Sequence, residues 1–182
     1  MIRHGETEGN AADVYTGHHD SPLTDKGRAQ AAAVIDIVDK LSIPPAAIYH
    51  SHLSRARDTA VILNENLKLP LHEHPDIAEQ DLGDWVGQPL SEIKPLIAQG
   101  YDPPNGETWH DFSARVQNAM TEILTAHDTP VLIASHGRVF RAFGDLYGIS
   151  IRSVRNCQLY EFIPQSGGGI FGWKIVKHGA VG

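Results

Sequence analysis

The chain has a single cysteine, Cys157, among 182 residues. No disulfide can form within it, which fits a reducing compartment. It has no apolar run of membrane-spanning length and no charged-then-apolar leader, so a cytoplasmic protein with no membrane partner is expected. Basic residues are in deficit: 15 Lys and Arg against 22 Asp and Glu give a formal net charge of −7. That balance argues against nucleic acid as a partner. It leaves room for a local cationic pocket on an acidic protein. There is no G-x-S-x-G elbow and no P-loop pattern, which argues against serine-hydrolase and P-loop nucleotide chemistry. Internal repeats and domain linkers are also missing, and Ser166-Gly167-Gly168-Gly169 reads as a hairpin loop. One domain, residues 1–182, is expected.

What is present is ordinary globular composition, 41% hydrophobic and 20% charged, arranged as alternating helical and strand-like patterns. This predicts an α/β fold. Ala31, Val34, Ile35, Val38 and Leu41 recur at helical spacing within 24–41, and Pro44-Pro45 ends that unit. A short strand is expected over 47–51. Ser54 is placed to cap a helix whose apolar face is Ala56, Ala60, Leu63 and Leu67. A weaker strand is expected over 71–74, then a Pro- and Gly-rich segment, 75–106, with one short helix over 90–98. Thr108 and Asp111 have capping-box spacing ahead of Phe112, Val116, Ala119 and Ile123. Val131 to Ala134 reads as a buried parallel strand, followed by a helix to about Tyr147. Two late strands are expected over 158–163 and 173–177.

Chemistry-bearing residues fall at the ends of these strands. Arg3-His4-Gly5 closes the first, and a fixed cation beside an imidazole suits attack on a phosphoryl group. Ser135-His136-Gly137 closes the strand over 131–134 and opens a helix, whose N-terminus favours an anion. Arg55 falls in the first helical turn after the strand over 47–51. If those strands are neighbours, Arg3, His4, Arg55 and His136 meet at the carboxyl end of a parallel sheet, where ligands collect.

Arg3-His4-Gly5-Glu6-Thr7 with Asn10, Leu53-x-Arg55-Ala56-x-x-Thr59-Ala60, Glu79 followed by Gly83-Asp84-Trp85, Gly106-Glu107-Thr108 and Ser135-His136-Gly137 occur in that order. Together they resemble the histidine phosphatase superfamily, also called phosphoglycerate mutase-like, over roughly 2–148. The resemblance implies a three-layer α/β/α sandwich with a mostly parallel central sheet. It implies His4 as the nucleophile that becomes phosphohistidine. Arg3, Arg55 and His136 would clamp the phosphate, with contacts from Asn10 and the Gly137 N–H. Glu79 would be the acid that protonates the leaving oxygen and then activates water. Fixed cations would stand in for a metal, so no metal or other cofactor is expected, and the substrate would be a small phosphorylated metabolite. Thr16, Gly17 and His18 would form the substrate rim, with Tyr15 and Trp109 as further rim candidates.

Each assignment has a rival. Arg57 is close enough to replace Arg55, and Asp81 and Glu73 compete with Glu79. Asn10 has a plain alternative as a turn former, and Trp85 as a core anchor. His18-His19-Asp20 and His72-x-His74 suggest a metal but fall short of a full ligand set. Cys157 reads as structural. Family members carry a full apolar strand before the Arg-His pair, whereas only Met1 and Ile2 stand here. That strand would be central, so its loss should weaken the sheet and the placement of His4; either residues are missing from the sequence or its true start lies upstream. The insert between Trp85-Val86-Gly87 and Gly106-Glu107 is short, with Lys94 its only Lys or Arg. The expectation is therefore phosphomonoester hydrolysis, with a mutase and a catalytically weak phospho-ligand binding module as alternatives. A homodimer is left open.

Overall fold

The structure, a computed structural model, describes residues 1–151, 153–165 and 172–178. The expected hairpin loop at Ser166 to Gly169 lies outside the described residues. In chain order the elements are β1 (Ile2–Arg3), α1 (Glu8–Ala11), α2 (Asp25–Val38), β2 (Ile48–His50), α3 (Ser54–Leu67), β3 (Leu71–Glu73), α4 (Leu90–Ala98), α5 (Trp109–Thr125), β4 (Leu132–Ser135), α6 (Gly137–Leu146), β5 (Tyr160–Gln165) and β6 (Gly172–Lys177). Short 3₁₀ turns occupy Pro75–Ile77 and Gly83–Trp85. Among the described residues no helix is long and apolar enough to cross a membrane.

β1 to β4 form one parallel sheet in the order β1-β4-β2-β3, and β5 pairs antiparallel with β6. Alternation along the strands builds the layers. Leu132 and Ala134 join Ile2 and Ile48 in a cluster with Val34, Val38 and Leu63 of α2 and α3. Ile133 belongs instead to a cluster with Phe112, Val116 and Ile123 of α5 and Phe140 and Phe143 of α6. Helices therefore cover both faces, giving the three-layer α/β/α sandwich.

The capping residues set where the helices start. Thr24 Oγ1 accepts from Gly27 N at 3.0 Å, and Thr108 Oγ1 accepts from Asp111 N at 3.1 Å. Ser54 does not cap α3 as expected. Leu53 is the N-cap and makes no side-chain cap bond. Asp20 supplies the acceptor from another segment: its Oδ1 takes Ser54 N at 3.2 Å and Ser54 Oγ at 2.6 Å. A local pattern could not reveal that partner, 34 residues away.

β1 is only two residues long, yet it is enclosed on both edges. Ile2 and Arg3 pair with Ala134 and Ser135 of β4. On the other edge Ile2 bridges Leu159, and Tyr160 N donates to Met1 O at 2.9 Å. The strand end is tied further by His4 N to Ser135 O at 3.0 Å and Cys157 N to Arg3 O at 3.0 Å. The expected loosening of His4 is therefore not seen: the strand end is bonded to β4 on one side and to 157–160 on the other.

After His4 the chain crosses the first turn of α2 backbone to backbone. A Cβ at Gly27 would lie 2.0 Å from the Glu6 carbonyl oxygen, and one at Gly5 would lie 2.4 Å from the Gly27 oxygen. Gly27→Ala should therefore push the His4 loop off α2 and destabilise the fold by about 1–3 kcal/mol, as overpacking does. Urea unfolding measures this, and a variant as stable as the parent would contradict the close crossing.

Candidate active site

β1, β4 and β2 are adjacent, and their carboxyl ends bring together residues that are far apart in sequence. A cleft of about 800 Å³ opens there, lined by Arg3, His4, Asn10, Arg55, Glu79 and Gly137 among others. Thr16, Gly17 and Tyr15 also line it.

His4 is only 4% exposed, and its Nδ1 lies 2.7 Å from the Gly5 carbonyl oxygen. A carbonyl can only accept, so Nδ1 carries the proton and Nε2 keeps its lone pair. Burial, then the charges of Arg3 and Arg55, hold the His4 pKa well below its usual value. The ring is therefore neutral, as a nucleophile must be. Asn156 Nδ2 donates to the His4 carbonyl at 3.1 Å and to Asn10 Oδ1 at 2.9 Å, fixing the two segments together.

The two arginines are held by backbone oxygens. Arg3 Nη1 donates to Val154 O at 2.7 Å, and its Nε is buried with no hydrogen-bond partner among the described residues. Arg55 donates from Nη2 to Gly17 O at 2.6 Å and from Nη1 to His19 O at 3.1 Å. Arg57 points outward to Asp58 at 2.9 Å, so the register favours Arg55. Glu79 is half-buried on the cleft wall, where Oε1 accepts from Gln80 N at 3.1 Å and Oε2 faces Arg138 N at 3.4 Å. Asp81 accepts from Gly83 N, and Glu73 is exposed on β3, so neither reaches the cleft. Arg115 ties the Glu79 segment down by an ion pair to Glu107 at 2.7 Å and hydrogen bonds to the carbonyls of Asp76, Ala78 and Glu79.

Two expected residues sit differently. His136 is fully buried and does not line the cleft. Its ring lies 5.2 Å from that of His4, its Nε2 is 2.7 Å from Ser51 Oγ, and its Nδ1 has no partner among the described residues. His18 is exposed beside the cleft but does not line it. Its Nε2 lies 2.6 Å from the Glu79 carbonyl oxygen, and its ring meets His52 edge-on. The tight turn at Gly17, with φ of +49°, lets Gly17 rather than His18 face the cleft.

Trp85 is a core anchor, buried with Leu82 and Ile93. Cys157 is buried, and burial pushes its thiol up to about 12, which leaves it inert. His72 stacks on Tyr49 at 5.0 Å, while His74 accepts from Asp76 N and pairs with Glu122. Among the described residues no group of three or more His, Cys, Asp or Glu side chains converges on a metal position.

The chain matches the histidine phosphatase superfamily (branch 1) over residues 1–168. It belongs to that superfamily. Its phosphoglycerate mutase-like fold recurs in a mycobacterial glucosyl-3-phosphoglycerate phosphatase solved with VO3, with a TM-score of 0.83, 26% identity, and coverage of 96% of this chain and 95% of that one. Adenosylcobalamin/alpha-ribazole phosphatase of Salmonella typhimurium is 33% identical over 147 residues, 75% of this chain and 72% of that protein. A 2,3-bisphosphoglycerate-dependent phosphoglycerate mutase of Bartonella henselae is 31% identical over 181 residues, 90% of this chain and 88% of that protein. The enzyme is a histidine phosphatase.

In this histidine phosphatase both site imidazoles are kept neutral. Burial first, then Arg55, His4 and Arg3, holds His136 well below its usual value. Both rings bind protons in the unfolded chain below the usual 6.5 but stay neutral in the fold. The unfolded state then binds more protons, so stability falls as pH drops through 6.5 and below. The expected loss is about 1 kcal/mol per pH unit for each ring. Urea unfolding at neutral and mildly acidic pH measures this, and equal stability at both would show that the rings are not held neutral.

Proposed function

We propose that the protein hydrolyses small phosphomonoesters through a phosphohistidine on His4 Nε2. The observation that carries this is His4 itself: its Nδ1 is bound to Gly5 O, and its ring stands in a cleft flanked by Arg3, Arg55 and Glu79. Nε2 attacks phosphorus and the P–O bond to the leaving group breaks. Glu79 gives its proton to the departing oxygen. Water then attacks the phosphohistidine, Glu79 takes a proton from it, and the N–P bond breaks to release inorganic phosphate. The equatorial oxygens would meet the unpartnered Arg3 Nε, the Arg55 guanidinium, and the Gly137 N–H at the start of α6. Asn10 gives its Oδ1 to Asn156, which leaves its Nδ2 as a donor to the anion. His136 supports the site from behind His4, its ring 5.2 Å from that of His4 and its Nε2 held at Ser51 Oγ.

Hydrolysis is preferred to mutase transfer because the 86–106 segment brings Lys94 as its only Lys or Arg. Two relatives, an adenosylcobalamin/alpha-ribazole phosphatase and a glucosyl-3-phosphoglycerate phosphatase, support a small phosphorylated metabolite as substrate. The soluble setting expected from the sequence is the cytoplasm.

Incubation with a radiolabelled aryl phosphate should trap an acid-labile, base-stable phosphoprotein. The label should be absent from His4→Ala, and turnover that survives this substitution would sink the mechanism. Glu79→Gln should slow alkyl phosphates by about 10²-fold or more. Aryl phosphates, whose leaving groups need less protonation, should slow less. Equal slowing of both would remove Glu79 from the acid role.

A further inference from the structure

The cleft is larger than a phosphoryl group requires, and its volume of about 800 Å³ is that of a whole-metabolite site. Away from His4, one part of its wall is apolar, with Val14, Leu82, Leu90 and Ile97. Another part is cationic, with Arg138 and Arg141 of α6 and Lys94 of α4. The two guanidinium groups share one indole, lying 4.9 and 4.7 Å from the centre of the Trp109 ring. Trp109 is steadied by Phe112 at 5.4 Å and by its backbone N–H, which donates to Asp102 at 2.6 Å. Arg141 meets Asp145 at 3.6 Å, whereas Arg138 Nε is buried with no hydrogen-bond partner among the described residues.

Holding two like charges over one ring carries a Coulombic cost that cation–π contact only partly offsets. Asp145 answers one of the two charges. Glu79 and Asp102 lie near the other, yet the cleft wall still carries five Lys and Arg residues against two acidic ones, Glu79 and Asp145.

We infer that Arg138 and Arg141, together with Lys94, form a second anion subsite, and that the substrate is a phosphomonoester bearing a carboxylate or a second phosphate on its distal part. The inference rests on the phosphatase reading and narrows its substrate class. Guanidinium forks suit either group by paired hydrogen bonds. The short 86–106 insert hid this subsite from the sequence reading, because two of its three cations come from α6.

The test compares kcat/KM, read as phosphate release, within matched substrate pairs. 3-Phosphoglycerate differs from glycerol 3-phosphate by a carboxylate, and fructose 1,6-bisphosphate differs from fructose 6-phosphate by a phosphate. The protein should favour the more anionic member of at least one pair by about tenfold or more. The favoured pair identifies the second anion. Arg138→Gln and Arg141→Gln should each cut that ratio several-fold, and added salt should shrink it. The ratio cancels effects on the shared phosphoryl chemistry, including any on Glu79 beside Arg138. Ratios near one in both pairs, or a ratio unmoved by both substitutions, would overturn the second subsite while the phosphatase reading stands. If none of the four esters turns over, calorimetric affinities for the same pairs give the same ratios. Failure to hydrolyse even an aryl phosphate would count against the phosphatase reading separately.

Discussion

The Gly5 carbonyl oxygen, 2.7 Å from His4 Nδ1, determines what the His4 ring can do. It assigns the proton to one nitrogen and leaves the other nucleophilic. The chain turn that presents this carbonyl depends on the close crossing over Gly27, and the ring's position depends on His4 N to Ser135 O. The same contact recurs at the end of β2, where His50 Nδ1 lies 2.8 Å from Ser51 O. A strand end that turns back on its own histidine is therefore not enough for chemistry. His4 differs because the cleft reaches it and His50 is away from that cleft.

The cations around His4 are withdrawn from water, which is unfavourable for any charge without partners. Arg55, 1% exposed, meets this by donating to two carbonyl oxygens of the 17–19 turn, and Arg3 donates to Val154 O. These bonds also aim the side chains, so the positive field is in place before substrate arrives. Burial first, and then this field, keeps the neighbouring imidazoles neutral, so the charges that would bind a phosphoryl group also help to keep the nucleophile ready.

Residues whose role is written in local pattern were legible in the sequence. The helical spacing of Ala31, Val34 and Val38, the Thr24 and Thr108 caps, and the apolar run at β4 place the layers directly. The residues of the cleft centre were reachable because several motifs lie at strand ends that one sheet makes adjacent. What escaped depends on contacts between distant segments. Asp20 caps α3 from another loop, and Asn156 ties His4 to Asn10 from 146 residues beyond Asn10. Ser51 meets His136 from a neighbouring strand end, and Arg138 owes its place to Trp109 on another helix. The contact of His18 with the Glu79 carbonyl likewise joins segments 61 residues apart, which spacing alone does not reveal.

The central claim is that His4 takes the phosphoryl group before water does. The stereochemistry at phosphorus tests this most directly, using a phosphorothioate monoester made chiral with sulfur and two oxygen isotopes and hydrolysed by the protein in water carrying the third, so that the thiophosphate released is itself chiral. Two in-line displacements, one by His4 Nε2 and one by water, predict net retention of configuration. Net inversion would mean that water attacks the substrate in a single step, and would contradict the account.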